Sequence, residues 1–347
     1  MKWFITKKEK PKTSRRLALR KLGALSTATL AFGSYLGAIT QRAQAQQGFQ
    51  SIRFGLQTTV AGALGLVWAY NRVYERQRLH VESFQFPDGR AVRDALVGGR
   101  IDMGTMNLTP FLVGASVSRL SLIAMAMLGG NTTGLMVGKN SAITSVSDLK
   151  GKNVSVTLGS ALANIFTDKV APSFELKPGG YRLINIVPAN QVAALSAGSI
   201  DAFVGPEPYL IVGEAENIGR VLLRFGKYDL NPTCLVASAS FVDKYPDTVV
   251  AFLKSWLDGV MFWEKNRSAA AKTLLAIYRK DGNTALTESM MEKLVDLIEV
   301  QPDITSDVVK YIEEQANLAM AHGQLRSLPN WREAIRPDLL SKARASF

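Results

Sequence analysis

Short stretches in which apolar and polar residues alternate recur along this chain, each followed by a turn and then by an apolar stripe at helical spacing. Ile52 to Gln57 alternates and predicts a strand; Thr58 to Gly65, rich in Thr and Gly, predicts a loop, and a helix then runs to near Gln77. A strand from Leu79 to Phe86 leads to Pro87-Asp88-Gly89, to a helix with Val92, Ala95 and Leu96 on one face, and to a strand from Ile101 to Thr105. Strands and helices alternating at this spacing predict parallel α/β structure.

The same order returns further on. Ala95-Leu96-x-x-Gly99-x-Ile101-Asp102 matches Ala194-Leu195-x-x-Gly198-x-Ile200-Asp201 at an offset of 99 residues. Phe86-Pro87 is answered by Val187-Pro188, and the strand at Ile52 by one at Val154 to Leu158. Two similar α/β lobes are implied. Gly129-Gly130-Asn131-Thr132-Thr133-Gly134 connects them, and a second passage is expected near Thr233 to Ala237; two thin connections make a hinge. Beyond Phe241 the pattern is helical: Val249, Val250, Leu253, Trp256, Leu257 and Val260 form one stripe after Pro246, which reads as core. Further helices are expected at Ala269 to Tyr278, Glu288 to Glu299 and Ser306 to Ala321, with a polar, loose end after them.

Composition changes this picture at the front. The 347 residues carry a net charge of +12, but residues 1–45 hold ten Lys or Arg against the single acid Glu9. The remainder has 31 basic and 28 acidic residues, so nothing in its charge argues for nucleic acid. The basic stretch through Lys21, the uncharged run from Leu22 to Gln41 and Ala43-Gln44-Ala45 read as an export signal cleaved before Gln46. Arg15-Arg16 within Ser14 to Arg20 adds a twin-arginine element, hence the Tat route, although Ala18 replaces the usual larger apolar residue. A retained membrane anchor is the competing reading, which the many Gly, Ser and Thr residues of the run disfavour. With one cysteine, Cys234, and two histidines, His80 and His322, neither an internal disulfide nor a Cys/His zinc site can be assembled.

Candidate chemistry centres on Ser145 to Ser160. Ser147 and Asp148 open a short turn of helix that Gly151 ends, and Asn153 to Thr157 is a strand. Leu158-Gly159-Ser160 then places Ser160 at the N-cap of a helix over Ala161 to Val170, whose free N–H groups suit an anion. A serine capping only its own helix is the plainer alternative.

These residues bring out a resemblance. Ile52-Arg53-Phe54-Gly55, Ala95-Leu96 to Asp102, Val146 to Lys152, Asp201-Ala202-Phe203 to Glu207-Pro208-Tyr209, and Leu235 to Ser238 resemble the solute-binding proteins of ABC importers in the nitrate/sulfonate/bicarbonate and taurine group, which are grouped with thiamine-precursor-binding proteins. The likeness runs from about Ile52 to Tyr278. It implies an α/β, two-lobed type II periplasmic binding protein fold with two hinge crossings and a helical C-terminal segment. The expected division is a signal peptide over 1–45, lobe 1 over 50–134, lobe 2 over 135–238, and the second part of lobe 1 with the C-terminal helices over 239–347. The family's binding loops, carried over by position, are Gln57, Thr58 and Thr59; Asp88 and Gly89; Met106 and Asn107; Gly159 and Ser160; Asn190; and Glu207 with Pro208. Asn131 of the connection is placed with them. Many relatives have Trp before the Glu-Pro pair, where this chain has Pro206.

The function this implies is a monomeric periplasmic binder of a small polar organic solute, without cofactor or metal, that delivers its cargo to a permease in the inner membrane. Ser160 suits an acidic group and Glu207 an ammonium, so an aminosulfonate would use both. A carboxylate stiffened between two prolines is the alternative for Glu207. Two rival functions stay open. One is an enzyme on the same fold, of desulfinase or pyrimidine-synthase type, which would need a reactive Cys or several Cys and His. The other is a sensor partner that presents bound ligand to a receptor.

Overall fold

The computed structural model describes residues 51–282 and 285–347; the leader and its cleavage site lie outside the described residues. Eleven strands are described: β1 Ile52–Gln57, β2 Val81–Phe86, β3 Met103–Asn107, β4 Leu120–Leu128, β5 Thr133–Gly138, β6 Asn153–Val156, β7 Arg182–Asn185, β8 Ala202–Pro206, β9 Gly219–Arg224, β10 Pro232–Ser238 and β11 Glu299–Val300. They form two sheets, ordered β11-β4-β10-β3-β1-β2 and β7-β6-β8-β5-β9. Apart from the short edge strand β11, the first sheet matches the second position for position. In each, the first strand pairs in parallel with its two neighbours, and the fourth place is filled by an antiparallel strand that arrives from the other lobe: β10 in the first sheet, β5 in the second. This is the two-lobed type II arrangement.

The repeated Asp has the same physical task in both lobes. The Arg53 backbone N–H donates to Asp102 Oδ2 at 2.9 Å, and the Asn153 N–H donates to Asp201 Oδ2 at 2.8 Å. Each carboxylate thus ties the start of its lobe's first strand to the start of its third, and the intervening helix is closed by Gly99 or Gly198, both at positive φ.

The predicted stripe on helix Pro246–Lys265 is core. Val249, Leu253 and Trp256 are fully buried against the first sheet, with Phe54, Trp68 and Phe252 forming an aromatic cluster around them. The indole N–H groups are satisfied inside it: Trp68 donates to the Ser255 carbonyl at 3.0 Å and Trp256 to the Met125 carbonyl at 3.4 Å.

Three expectations are corrected. The return passage lies at residues 225–231, before β10; Thr233 to Ala237 are paired on both sides within the first sheet, so lobe 2 ends near Arg224 and not at 238. The chain end is not loose: helix Pro337–Ala345 buries Leu339, Leu340 and Ala343 in the core of lobe 1. The short helix Val146–Leu149 is capped by Ser145 rather than opened by Ser147, and Asp148 accepts from the Thr144 and Ser145 N–H groups at 2.8 and 2.9 Å.

The two crossings run side by side. Gly129 N–H donates to the Asn231 carbonyl at 3.1 Å and Gly130 N–H to that of Leu230 at 3.0 Å. Asp229, 5% exposed, gathers the lobes here. Its carboxylate accepts from the Asn231 N–H at 2.6 Å, from the Tyr311 hydroxyl of lobe 1 at 2.6 Å, and from the Lys169 ammonium of lobe 2. Nearby, Asn164 and Gln324 exchange amide hydrogen bonds and His322 Nε2 lies 2.9 Å from Asp168 Oδ2. Asn164 ends the short helix Ala161–Asn164, and the π-helix Ile165–Val170 that follows carries Asp168 and Lys169. Replacing Asp229 by Ala leaves a mostly buried ammonium, a hydroxyl and an N–H without their acceptor. Asp229→Ala is therefore expected to lose about 3 kcal/mol of stability in urea unfolding, whereas Asp307→Ala, in the first turn of helix Ser306–Ala321, should stay within about 0.5 kcal/mol.

Candidate functional site

The carboxyl ends of the parallel strands of both sheets open into one cleft, as expected where open α/β sheets face each other. Its volume is about 610 Å³. The first lobe contributes Gln57 at the end of β1 with Thr58 and Thr59, Asp88 and Gly89 at the start of helix Gly89–Val97, Asn107 at the end of β3, and Asn231 and Thr233 at the start of β10. The second lobe contributes Thr157, Gly159 and Ser160 after β6, Val187 and Pro188 after β7, and Pro206, Pro208 and Tyr209 after β8.

Of the residues expected to bind the solute, Gln57, Thr58, Thr59, Asp88, Gly89, Asn107, Gly159, Ser160 and Pro208 line this cleft; Met106, Asn131, Asn190 and Glu207 do not. Met106 points the other way on β3 and is wholly buried in a core cluster with Phe111 and Met125, as period-two alternation requires for the neighbour of a cleft residue. Asn131 and Asn190 are exposed outside the cleft.

Glu207 is the consequential correction. It is fully buried; its Oε1 accepts from Arg224 Nη2 at 2.8 Å and its Oε2 from the Ile211 N–H at 2.9 Å. Burial pushes the carboxyl above its ordinary value, against the opposing pull of Arg224 and the Ile211 N–H. A carboxylate so engaged, away from the cleft, is not available to a ligand ammonium. It braces the cleft wall between β8 and β9 instead.

Asp88 lines the cleft but its carboxylate is also occupied. It caps its helix by accepting from the Arg90 and Ala91 N–H groups at 2.9 and 3.0 Å and holds the Arg90 guanidinium at 2.9 Å. Partial desolvation pushes its pKa up, but these donors outweigh it and hold the carboxyl below the usual range. Gly89 follows because a Cβ there would meet Gln57 Oε1 at 3.1 Å and the Asn107 nitrogen at 3.2 Å, so the chain approaches the cleft floor closely. On the other side Gly159, at φ +74°, turns the chain into Ser160, whose Oγ accepts from the Ala163 N–H at 3.3 Å. Ser160 thus caps its own helix and lines the cleft as well.

Sequence reasoning missed Arg90, Arg93, Tyr209, Thr233, Tyr278 and Gln324 among the lining residues. Arg90 and Arg93, one helical turn apart and just after Asp88-Gly89, carried a usable signal. Thr233 was assigned to a crossing, and Tyr278 and Gln324 arrive from the C-terminal part of the chain, which no local pattern connects to the cleft. Two of the polar side chains are buried with a group unspent: Gln57 Nε2, 1% exposed, and Thr233 Oγ1, 0% exposed, have no hydrogen-bond partner among the described residues.

Two outcomes follow. Glu207→Gln should lower stability by about 1 to 2 kcal/mol, because Arg224 loses its charged acceptor, and should change the affinity for any solute that stabilises the parent by less than about threefold. Because the Asp88 carboxyl is held below its unfolded value of about 4, the stability it contributes is present above that pH and is lost as pH falls through the folded value. Asp88→Asn should flatten that part of an acid-unfolding curve.

Comparison with known proteins gives the arrangement its relatives. A Bacillus subtilis (strain 168) protein whose name assigns it aliphatic-sulfonate binding is 26% identical over 299 residues, covering 85% of this chain and 88% of its own. The taurine-binding periplasmic protein of Escherichia coli (strain K12) is 29% identical over 180 residues, 50% of this chain and 54% of its own. Among solved structures, the alkanesulfonate-binding protein of Xanthomonas axonopodis pv. citri superposes with a TM-score of 0.71 at 22% identity, over 82% of this chain and 97% of that one; at that identity the likeness establishes a shared fold. The model of the NMT1-like family matches residues 46–277, well over half of the chain, and the chain belongs to that family.

Proposed function

We propose that this protein is the solute-binding component of an ABC importer, closing as a monomer on a small organic anion and handing it to a permease in the inner membrane. The observation that carries the reading is the cleft itself: polar side chains at the strand ends of two lobes face one another across a pair of adjacent crossings. The relatives named for sulfonate and taurine binding support it. A binding role is also favoured over catalysis by the state of the reactive groups. Cys234 is wholly buried on β10, and burial pushes its thiol pKa far up, the opposite of a nucleophile's requirement. His322 faces Asp168 rather than the main cleft. A receptor-presenting sensor would use the same cleft, and transport is favoured by the relatives' names.

Export completes the proposal. Among the described residues no helix is long and apolar enough to cross a membrane, and relatives are named as periplasmic proteins. The twin-arginine leader would deliver the folded chain, beginning near Gln46, to the periplasm. N-terminal sequencing of secreted material checks this, with Gln46 or an adjacent residue as the expected first residue and an intact leader in the membrane fraction as the contrary one. For the cleft, a thermal-shift screen of organic sulfonates and carboxylates should find ligands that stabilise the fold, by about 2.7 kcal/mol at one hundred times Kd. Turnover of such a ligand, or stabilisation by none of them, would contradict the reading.

A further inference from the structure

The lobes also meet away from the crossings. Asn164 and Asp168, one helical turn apart, stand on the lobe 2 segment that begins at Ser160 in the cleft and runs on as a π-helix. In lobe 1, helix Ser306–Ala321 ends at His322, and Gly323, at φ +68°, turns the chain into Gln324. The two segments are joined by side chains. Asn164 Nδ2 donates to Gln324 Oε1 at 3.1 Å, and Gln324 Nε2 returns a bond to Asn164 Oδ1 at 3.3 Å. His322 Nε2 lies 2.9 Å from Asp168 Oδ2, and the Thr167 hydroxyl holds the other oxygen of that carboxylate at 2.8 Å.

This contact differs in kind from the joint at the crossings. There the Asp229 side chain is 2% exposed. Ile211 of lobe 2, tied through Glu207 to Thr132 of the first crossing, lies in a core cluster of lobe 1. Parting those groups would strand a buried charge and bare an apolar side chain. At the second contact the partners already stand partly in water, with the His322 side chain 43% exposed and Asp168 22%. A group that loses its protein partner there is hydrated instead, so separation costs little. The contact is also thin: Gln324 lines the main cleft on one side, and Asn164, Asp168 and His322 line a second cavity of about 30 Å³ on the other. All of its bonding atoms belong to the protein, so it forms whether or not the cleft is filled.

We infer that Asn164 with Gln324 and Asp168 with His322 form a latch separate from the hinge: the lobes turn about the Asp229 joint, and the latch holds most of the protein closed before any solute arrives. This goes beyond the binding role proposed above, because closure without solute is a property of the chain alone. By favouring the closed form, the latch raises the affinity for whatever the cleft takes, although Asn164, Asp168 and His322 do not line the main cleft.

Distances between two spin labels, read by pulsed electron paramagnetic resonance on the purified protein with no solute added, test the inference. Gln85→Cys on β2 and Asn190→Cys on the helix after β7 place the labels at exposed positions outside the cleft lining, toward the sheet edges away from the crossings. Cys234 is wholly buried and out of the reagent's reach. The labelled parent should show a short, closed distance as its main population. Asn164→Ala combined with His322→Ala should raise the longer, open population roughly threefold or more. Arg119→Ala, which removes exposed ion pairs to Asp243 and Glu333 within lobe 1, should keep the parent's distribution. The latch is overturned by a parent that is chiefly open, by a double variant, shown to be folded by circular dichroism, that keeps the parent's distribution, or by Arg119→Ala opening the lobes as far. Since no solute enters the measurement, each of these results leaves the importer reading where it stands.

Discussion

The structure depends on an exchange of strands. Each lobe's parallel sheet is completed by an antiparallel strand that the chain lays down only after crossing from the other lobe, β5 in one direction and β10 in the other. The second sheet takes its antiparallel strand from the first crossing and the first sheet takes its own from the return, and the two connecting segments are joined by backbone hydrogen bonds between Gly129, Gly130 and the 230–231 stretch. The Asp229 carboxylate then fastens this pair to a residue from each lobe, Lys169 and Tyr311. A hinge made in this way is narrow but fixed in position, and it leaves the strand ends of both sheets facing one cavity.

The carboxylates of the sheets and of the cleft wall are mostly structural. Asp102 and Asp201 tie strand starts, Glu207 ties β8 to Arg224 of β9, and Asp88 caps a helix. Each is satisfied by protein donors, and for the fully buried Glu207 that is how a carboxylate is tolerated in a low-dielectric setting. Around the cleft this leaves neutral polar side chains and the already paired Arg90 and Arg93 on the first lobe, and a wall rich in Pro, Val and Leu on the second.

Much of the fold was legible because it is local and repeated. The Ala-Leu-x-x-Gly-x-Ile-Asp block carries its own helix face, its stop and its strand, and its Asp has one role in both lobes, so the pattern and the structure agree at Asp102 and Asp201. β10 was placed in a crossing because sheet membership is a long-range property: its partners β3 and β4 lie more than a hundred residues upstream. Glu207 was given to the ligand because its true partner, Arg224, is 17 residues away and reaches it only after β8 and β9 flank β5. The chain end reads as polar, yet Leu339, Leu340 and Ala343 at helical spacing close the core, a stripe too short to stand out against its charged surroundings. In the cleft, the loops after parallel strands were carried over through the family resemblance; Thr233 and Gln324 were not, since neither follows a parallel strand.

A crystal structure of the protein with its tightest organic anion tests the account most directly. The account predicts a ligand held between the strand ends of the two lobes, with Asp88 still capping its helix and Glu207 still bound to Arg224. A ligand bound outside the cleft, or one that draws Glu207 away from Arg224 into the cleft, would contradict it.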